Sequence, residues 1–195
     1  LVVSAMMQAF KTVPPHIMLN MAQTALHTYI KNGFTTVQEG RADRGTAELW
    51  KGLASQQKLP IDLVVYPDLI AEKDYMLKNG SSTQYQNHYR IGGVKISLDG
   101  SPQGKTAWLT QPYLIPPEGQ SKTYRGYPAY PQQKTVQDAI NLAFKNHWQI
   151  LAHANGDAAI DQYLSVIQQA EQQFPNVDRR NVIIHAQTIR EDQLD

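Results

Sequence analysis

The stretch QILAHANGDAAIDQYLSVIQQAEQQFPNVDRRNVIIH, residues 149–185, decides the fold class. It begins with an apolar run that ends in His153, continues as an amphipathic segment at about 157–174, and closes with a second apolar run that ends in His185. Short β-branched runs predict strands, whereas apolar residues at spacings of three and four predict a helix. The stretch therefore predicts a strand–helix–strand unit, the building block of a parallel sheet.

The same alternation continues through the rest of the chain. Further strands are predicted at 34–38, 61–66 and 91–98, and further helices at 17–31, 43–57, 68–79 and 134–146. This pattern predicts an α/β fold whose strands pair in chain order, and it fits both a doubly wound sheet and a (β/α)₈ barrel. A complete barrel takes about 250 residues, or about 31 per unit, so a barrel would receive about five units from this chain.

Residues 99–130 form a connection rich in proline, glycine and aromatic residues. Irregular segments of this length inside a compact domain are usually lids or binding loops. Its tryptophan and tyrosines argue against disorder. We therefore interpret residues 1–195 as part of a single domain, with 99–130 as a long active-site loop over the mouth of the sheet.

Composition excludes several classes of function. The chain is 42% hydrophobic and 18% charged, with a formal net charge of +1. Nucleic acid is not expected as a partner, because phosphate binding needs a clustered basic surface and Arg179-Arg180 is the only adjacent basic pair. No apolar run is long enough to span a membrane, and residues 1–33 show no signal-peptide pattern. A cytoplasmic location is expected, with a periplasmic or secreted location as the open alternative. The absence of cysteine excludes thiolate metal sites.

Two residues end predicted strands and a third lies inside one, towards the carboxyl ends at which parallel α/β folds gather their catalytic groups. His153 and His185 end consecutive strands and should face one crevice, so a transition-metal site and two ordinary polar residues bonded to loop carbonyls both remain open. Lys95 lies between apolar neighbours, so it needs an ion pair with Asp99 or Glu39, a path to solvent, or a chemical modification. Asp157 falls at a helix start, which is typical of a cap.

Four motifs follow one another in order: Gly-Phe-Thr-Thr-Val-Gln-Glu (33–39), Gly-Val-Lys-Ile-Ser-Leu-Asp-Gly-Ser (93–101), His-Ala-Asn-Gly-Asp-Ala-Ala-Ile-Asp (153–161) and Val-Ile-Ile-His-Ala-Gln (182–187). Together they resemble the metal-dependent amidohydrolase superfamily, specifically its YtcJ-like branch, which includes N-substituted formamide deformylases. The resemblance covers nearly the whole chain. It implies a partial (β/α)₈ TIM barrel to which this chain contributes strands 2–6.

The resemblance also implies a site. The family's metal-binding histidines of the fifth and sixth strands correspond to His153 and His185, and its often carboxylated fourth-strand lysine corresponds to Lys95. The first-strand His-x-His pair is expected before residue 1. The last-strand Asp, a metal ligand and general base, is expected after residue 195, so no catalytic residue is assigned within the chain. Asp99 and Ser101 are expected in the substrate wall.

The implied function is hydrolysis of a carbon–nitrogen bond in a small amide-type, non-peptide substrate. A water activated by one or two divalent ions, expected to be Zn²⁺, would attack the carbonyl carbon. The full-length protein would then be an enzyme for which a homo-oligomer is one expected state, and this segment alone would be inactive. The alternative is a non-catalytic binding or regulatory protein that retains the barrel. A nucleotide-binding function is disfavoured, because Gly92-Gly93 precedes the core of its strand instead of following it.

Overall fold

The computed structural model describes residues 12–194, and within that range all strand pairs are parallel. In chain order the elements are α1 Pro15–Lys31, β1 Thr36–Ala42, α2 Arg44–Ser55, β2 Asp62–Pro67, α3 Lys73–Asn79, β3 Tyr89–Ile91, β4 Gly93–Ser97, α4 Gln133–Lys145, β5 Gln149–Ala154, α5 Asp157–Gln173 and β6 Val182–His185. A single 3₁₀ turn, Glu191–Gln193, follows. The predicted α/β class with parallel strands is confirmed.

Two boundaries differ clearly from the sequence prediction. β1 continues through Ala42, so Glu39 lies within the strand and not beyond it. α3 begins at Lys73 because the Asp68 carboxylate accepts hydrogen bonds from the amides of Ile70 and Ala71, at 3.0 and 2.9 Å. Those bonds close a turn where the first helical turn was predicted.

The strands form two three-stranded sheets, β1-β2-β3 and β4-β5-β6. The predicted strand 91–98 is divided, since Gly92 alone separates β3, which pairs with β2, from β4, which pairs with β5. An isolated bridge between Asp68 and Lys95 joins the two ladders. A Cβ at Gly92 would lie 2.6 Å from Val64 Cγ2 and 2.8 Å from Tyr66 Cζ. Neighbouring strands therefore approach so closely that only glycine fits where the strand bends.

The two faces of the strands bury different clusters. Val94, Ile96 and Ile150 face the helices and join a large core that includes Phe144 and Ile160. The opposite, inner face carries a small cluster that consists of Val64, Tyr66 and Leu151, with Ile184 packed against it. Because side chains alternate along a strand, Lys95 and His153 share this inner face with Leu151.

Helix ends follow local chemistry. Asp43 caps α2 by accepting a hydrogen bond from the Thr46 amide at 2.7 Å. Gly33, with φ +81°, lies just beyond the end of α1 in the left-handed conformation that glycine adopts most readily. No helix in residues 12–194 is long and apolar enough to cross a membrane.

Two glycine substitutions test the close strand contact. A Cβ at Gly93 would collide with the backbone carbonyl oxygen of Gln149, which cannot move without separating β4 from β5. We expect Gly93→Ala to lower the free energy of unfolding by more than about 2 kcal/mol. Gly52→Ala is the matched control, because a Cβ there meets no atom within 4 Å. In the interior of α2 it should raise stability by about 0.5–1 kcal/mol in urea unfolding.

Candidate functional site

The side chains of Lys95, His153 and His185 gather on the inner face near the carboxyl ends of β4, β5 and β6. The imidazole rings of His153 and His185 lie edge to face, with centroids 4.7 Å apart and an interplanar angle of 77°. The charge of Lys95 is close enough to affect His185. The structure thus brings together the three residues that the sequence selected.

Lys95 is buried without a counter-ion. The residue as a whole is only 6% exposed, and its Nζ forms no hydrogen bond or ion pair within residues 12–194. An ion pair with Asp99 or Glu39 is therefore not formed. Burial, and then the positive charge of Arg41, lowers the pKa of Lys95 to about 8. A neutral amine is thus far more accessible here than on an ordinary surface lysine.

His153 is held by a hydrogen bond that also fixes its tautomer. Its Nε2 lies 2.8 Å from the carbonyl oxygen of Gly100, which also accepts a 2.7 Å bond from Asn155 Nδ2. A carbonyl oxygen can only accept, so this contact assigns the proton to Nε2. Asn155 Nδ2 also lies 3.2 Å from the same nitrogen, but the contact with Gly100 is the shorter of the two. The Nδ1 of neutral His153 consequently retains its lone pair, as a metal ligand requires.

His185 reaches its position through a strained backbone. It pairs in register with Ala154, a residue of the outer core, so strand alternation alone would turn it towards the helices. Its φ of 79°, followed by 49° at Ala186, is left-handed, and its ring packs on His153 instead. Such a conformation costs about 1–3 kcal/mol and is concentrated at functional sites. Burial, and then the charges of His153 and Lys95, hold the pKa of His185 below its ordinary value, which favours the neutral ring.

Asp99, predicted in the substrate wall, joins three segments of backbone. Its side chain is 0% exposed and accepts hydrogen bonds from the amides of Asn155, Gly156 and Trp108, at 3.0, 2.7 and 3.0 Å. His153 Nε2 lies 3.5 Å from the same carboxylate. These contacts give Asp99 a structural role at the floor of the site. Its contact with a substrate stays a prediction.

Ser101 closes a tight turn in the same loop. Its Oγ accepts from the Gly104 amide at 3.2 Å, and its carbonyl oxygen accepts from the amides of Thr106 and Ala107. The Thr106 hydroxyl in turn accepts from the Ser101 amide. The contacts of Ser101 are thus internal to the loop, and its place in the substrate wall likewise stays a prediction.

The prediction that Asp157 caps a helix is wrong. Gly156 is the N-cap of α5, and Asp157 is its first helical residue. The Asp157 carboxylate accepts from both the amide and the hydroxyl of Thr110 in the long loop, and from Arg190 at 3.1 Å. Because Gly156 brings the backbone against the carbonyl of Trp108, the loop is attached to the start of α5 at two adjacent points.

Sequence reasoning missed a neighbouring pair of charged residues. Arg41 Nε donates to Asp68 Oδ2 at 2.8 Å, and Asp68 is bridged to Lys95 through the backbone. Asp68 directly follows β2, so the rule that selected His153 could also have found it. Arg41 was hidden because its strand was predicted to end before Glu39.

Within residues 12–194, no group of three or more His, Cys, Asp or Glu side chains is placed to hold a metal ion. The donors that do converge are two imidazoles, one with a fixed lone pair, and a lysine of lowered pKa. Two neutral imidazoles suit a divalent transition metal, but a zinc site takes three or four protein ligands. The donor set therefore fits a metal as part of a site, with Lys95 or further residues completing it.

Comparison with known proteins gives concordant results. The sequence model of the amidohydrolase family matches residues 2–195. Crystal structures of uncharacterized metal-dependent hydrolases from Pyrococcus furiosus and from Pyrococcus horikoshii OT3 superpose with a TM-score of 0.71 at 24% sequence identity, over 88% of this chain. The chain covers 34% and 33% of those two structures, about a third of their length. No curated protein matches significantly.

Replacing Asp99 tests its role in joining the loop to the strand ends. Asp99→Asn exchanges one accepting oxygen for a donor that would face backbone N–H groups, so we expect a loss of about 1–3 kcal/mol in the free energy of unfolding. Amide exchange at Trp108 and Gly156 should accelerate. Asp178→Asn, at an exposed ion pair with Arg180, should stay within about 0.5 kcal/mol of wild type. Unchanged exchange at Trp108 in Asp99→Asn would contradict this role.

The attachment of the loop to α5 should weaken in acid. Burial raises the pKa of Asp157, but hydrogen bonds from Thr110 and Arg190 outweigh it and lower the pKa below its usual value. A lowered folded-state pKa stabilises the fold above the unfolded value, near about 3.9, and this contribution is lost as pH falls through the folded pKa. The stability difference between wild type and Asp157→Asn should therefore be constant near neutrality and shrink below about pH 4. A difference independent of pH down to pH 2 would contradict it.

Proposed function

We propose that this chain, which belongs to the amidohydrolase family, carries part of the metal centre of a hydrolase that cleaves carbon–nitrogen bonds in small, non-peptide amides. The finer assignments belong to the same proposal. They are a partial (β/α)₈ barrel, membership of the YtcJ-like branch, and zinc as the metal.

The observation that carries the proposal is the histidine pair. His153 and His185 come from successive strands, their ring centroids are 4.7 Å apart, and a strained left-handed backbone holds the second ring against the first. A pair with only a structural role would gain nothing from a proton fixed on His153 Nε2 and a lowered pKa on His185. Both features favour neutral rings with free lone pairs, which a metal needs.

Lys95 is the third ligand in this proposal. A buried amine without a counter-ion is costly, whereas a lysine carboxylated on Nζ becomes an anion that pairs with a cation. A pKa lowered to about 8 supports this, because only the neutral amine can react with carbon dioxide. When bound, a divalent ion would lower the pKa of a water molecule and polarise the amide carbonyl.

Other residues of the chain orient these ligands. The Gly100 carbonyl holds the ring of His153, and Asp99 fixes the backbone on both sides of that contact. Residues 99–130, tied to α5 through Asp157, would cover the mouth and restrict water there. The remaining ligands and the general base are proposed to come from barrel strands outside this chain, which spans about a third of its solved structural relatives.

Metal analysis and activity of the full-length protein test this function. His153→Ala and His185→Ala should each lower bound zinc and reduce hydrolysis of N-formyl and N-acetyl amines by more than about 100-fold, because loss of a ligand costs more than loss of an outer-shell partner. His147→Ala is the control, since His147 is exposed and lies before the opposite end of β5. It should retain wild-type metal content and rate.

The outcomes separate the two classes of function. Near wild-type turnover by His185→Ala would exclude the proposed mechanism. Bound metal that depends on both histidines, without turnover of any amide tested, would favour a non-catalytic binding protein built on the same barrel.

A further inference from the structure

Beside the histidine pair, on the carboxyl side of β1 and β2, lies a polar group formed by Arg41, Asp68 and Tyr130. It plays no part in the ligand set described above. It joins the same mouth, because Asp68 forms a backbone bridge with Lys95 and the Leu69 amide donates to the Lys95 carbonyl at 2.7 Å.

The Asp68 carboxylate binds Arg41 only through the Nε of its guanidinium group. Its Oδ1 accepts from the amides of Ile70 and Ala71, and its Oδ2 accepts from Arg41 Nε at 2.8 Å. The carboxylate is buried and its negative charge is shared with two backbone amides. It therefore orients the guanidinium without occupying its outer edge.

The outer edge of Arg41 is free. Within residues 12–194, Arg41 Nη1 and Nη2 form no hydrogen bond or ion pair, and the side chain is 55% exposed. These two nitrogens are the pair that binds a carboxylate in a bidentate manner. An ion pair this exposed contributes about 0–1 kcal/mol to stability, so stability does not account for an arginine oriented in this way.

Tyr130 supplies a second unused donor at the same place. It ends the long loop, where the neighbouring Ala129 amide donates to Leu98 O at 2.7 Å. Its hydroxyl forms no hydrogen bond with any residue in the described range 12–194. The bond from Ala129 to Leu98 places Tyr130 at the carboxyl end of β4, the strand that Asp68 bridges at Lys95. The pKa of Tyr130 is raised by burial and then by the charge of Asp68, and the charge of Arg41 opposes both.

We propose that Arg41 and Tyr130 bind a carboxylate on the substrate, so that the substrates are amides that also carry a carboxylate group, such as N-acylated amino acids. This inference rests on the proposed function, because only a hydrolase would cleave the bound molecule as a substrate. Binding of the carboxylate itself does not depend on turnover. Arg41 provides the charge and the two parallel donors, Tyr130 a third donor, and Asp68 the orientation. The amide bond would then extend from this anchor towards Lys95 and the histidine pair.

The test is calorimetric binding to the full-length protein of two probes that contain no carboxylic amide: N-(methylsulfonyl)glycine and the neutral alcohol N-(2-hydroxyethyl)methanesulfonamide. Wild type should bind the charged probe at least about tenfold more tightly, as expected for charge-assisted hydrogen bonds. Arg41→Gln should abolish that preference and leave the affinity for the neutral probe unchanged. Arg44→Gln removes the same charge three residues away, at the exposed start of α2, and should keep the preference.

If Arg41→Gln does not fold, Tyr130→Phe still tests the proposal, because this substitution removes only a single hydroxyl group. It should weaken the charged probe about threefold or more and leave the neutral probe unaffected. Equal affinity of wild type for the two probes, no measurable binding of the charged probe, or a preference that survives Arg41→Gln would overturn the proposal. A preference that depends on Arg41 in a protein that hydrolyses no amide would uphold carboxylate binding and reject only the hydrolytic function.

Discussion

The buried Asp99 carboxylate is the interaction on which the site depends. It accepts hydrogen bonds from the amides of Trp108, Asn155 and Gly156, so one charge joins the end of β4, the turn from β5 to α5, and the long loop. Without it three N–H groups would be buried without partners, and each such loss costs more than a typical hydrogen bond contributes. The position of the His153 ring follows, because its Gly100 partner is the residue after Asp99.

The carboxylates near the inner face are largely committed to partners other than Lys95. Lys95 has no counter-ion among the described residues, while Asp99 and Asp68 direct most of their accepting capacity to backbone amides. The lowered pKa of His185 reflects burial and then the positive charges of His153 and Lys95. Burial and neighbouring positive charge disfavour the protonated forms of Lys95 and His185, so an added negative charge, or a cation bound by the neutral ring, would be favourable there. Lys95 and His185 thus contribute less to stability than paired residues would, which is typical of residues in binding or catalytic sites.

The amino-acid pattern predicted the order of the elements and three residues that the structure brings together, but it missed Arg41 and Asp68. Alternating strands and helices predicted parallel pairing, and the strand-end rule selected Lys95, His153 and His185 before any contact was known. It could not reveal that Asp157 binds Thr110 instead of its own helix, since that depends on where a loop returns from 47 residues away. The pattern also could not reveal that Gly92 separates the two ladders or that His185 has a left-handed backbone. Both features depend on residues that are close in space but distant in sequence.

The division at Gly92 also affects the order in which the chain assembles. In the ladder β1-β2-β3 each strand pairs with the next across one short helix, so its loops are closed at low entropic cost. The β4–β5 pair must bring its ends together across the whole of residues 98–148. Because distant contacts slow folding, we expect the ladder β4-β5-β6, which carries both histidines, to form after the ladder β1-β2-β3 and to pack against it. His153 and His185 would thus come together only after the rest of the sheet has a surface to dock on.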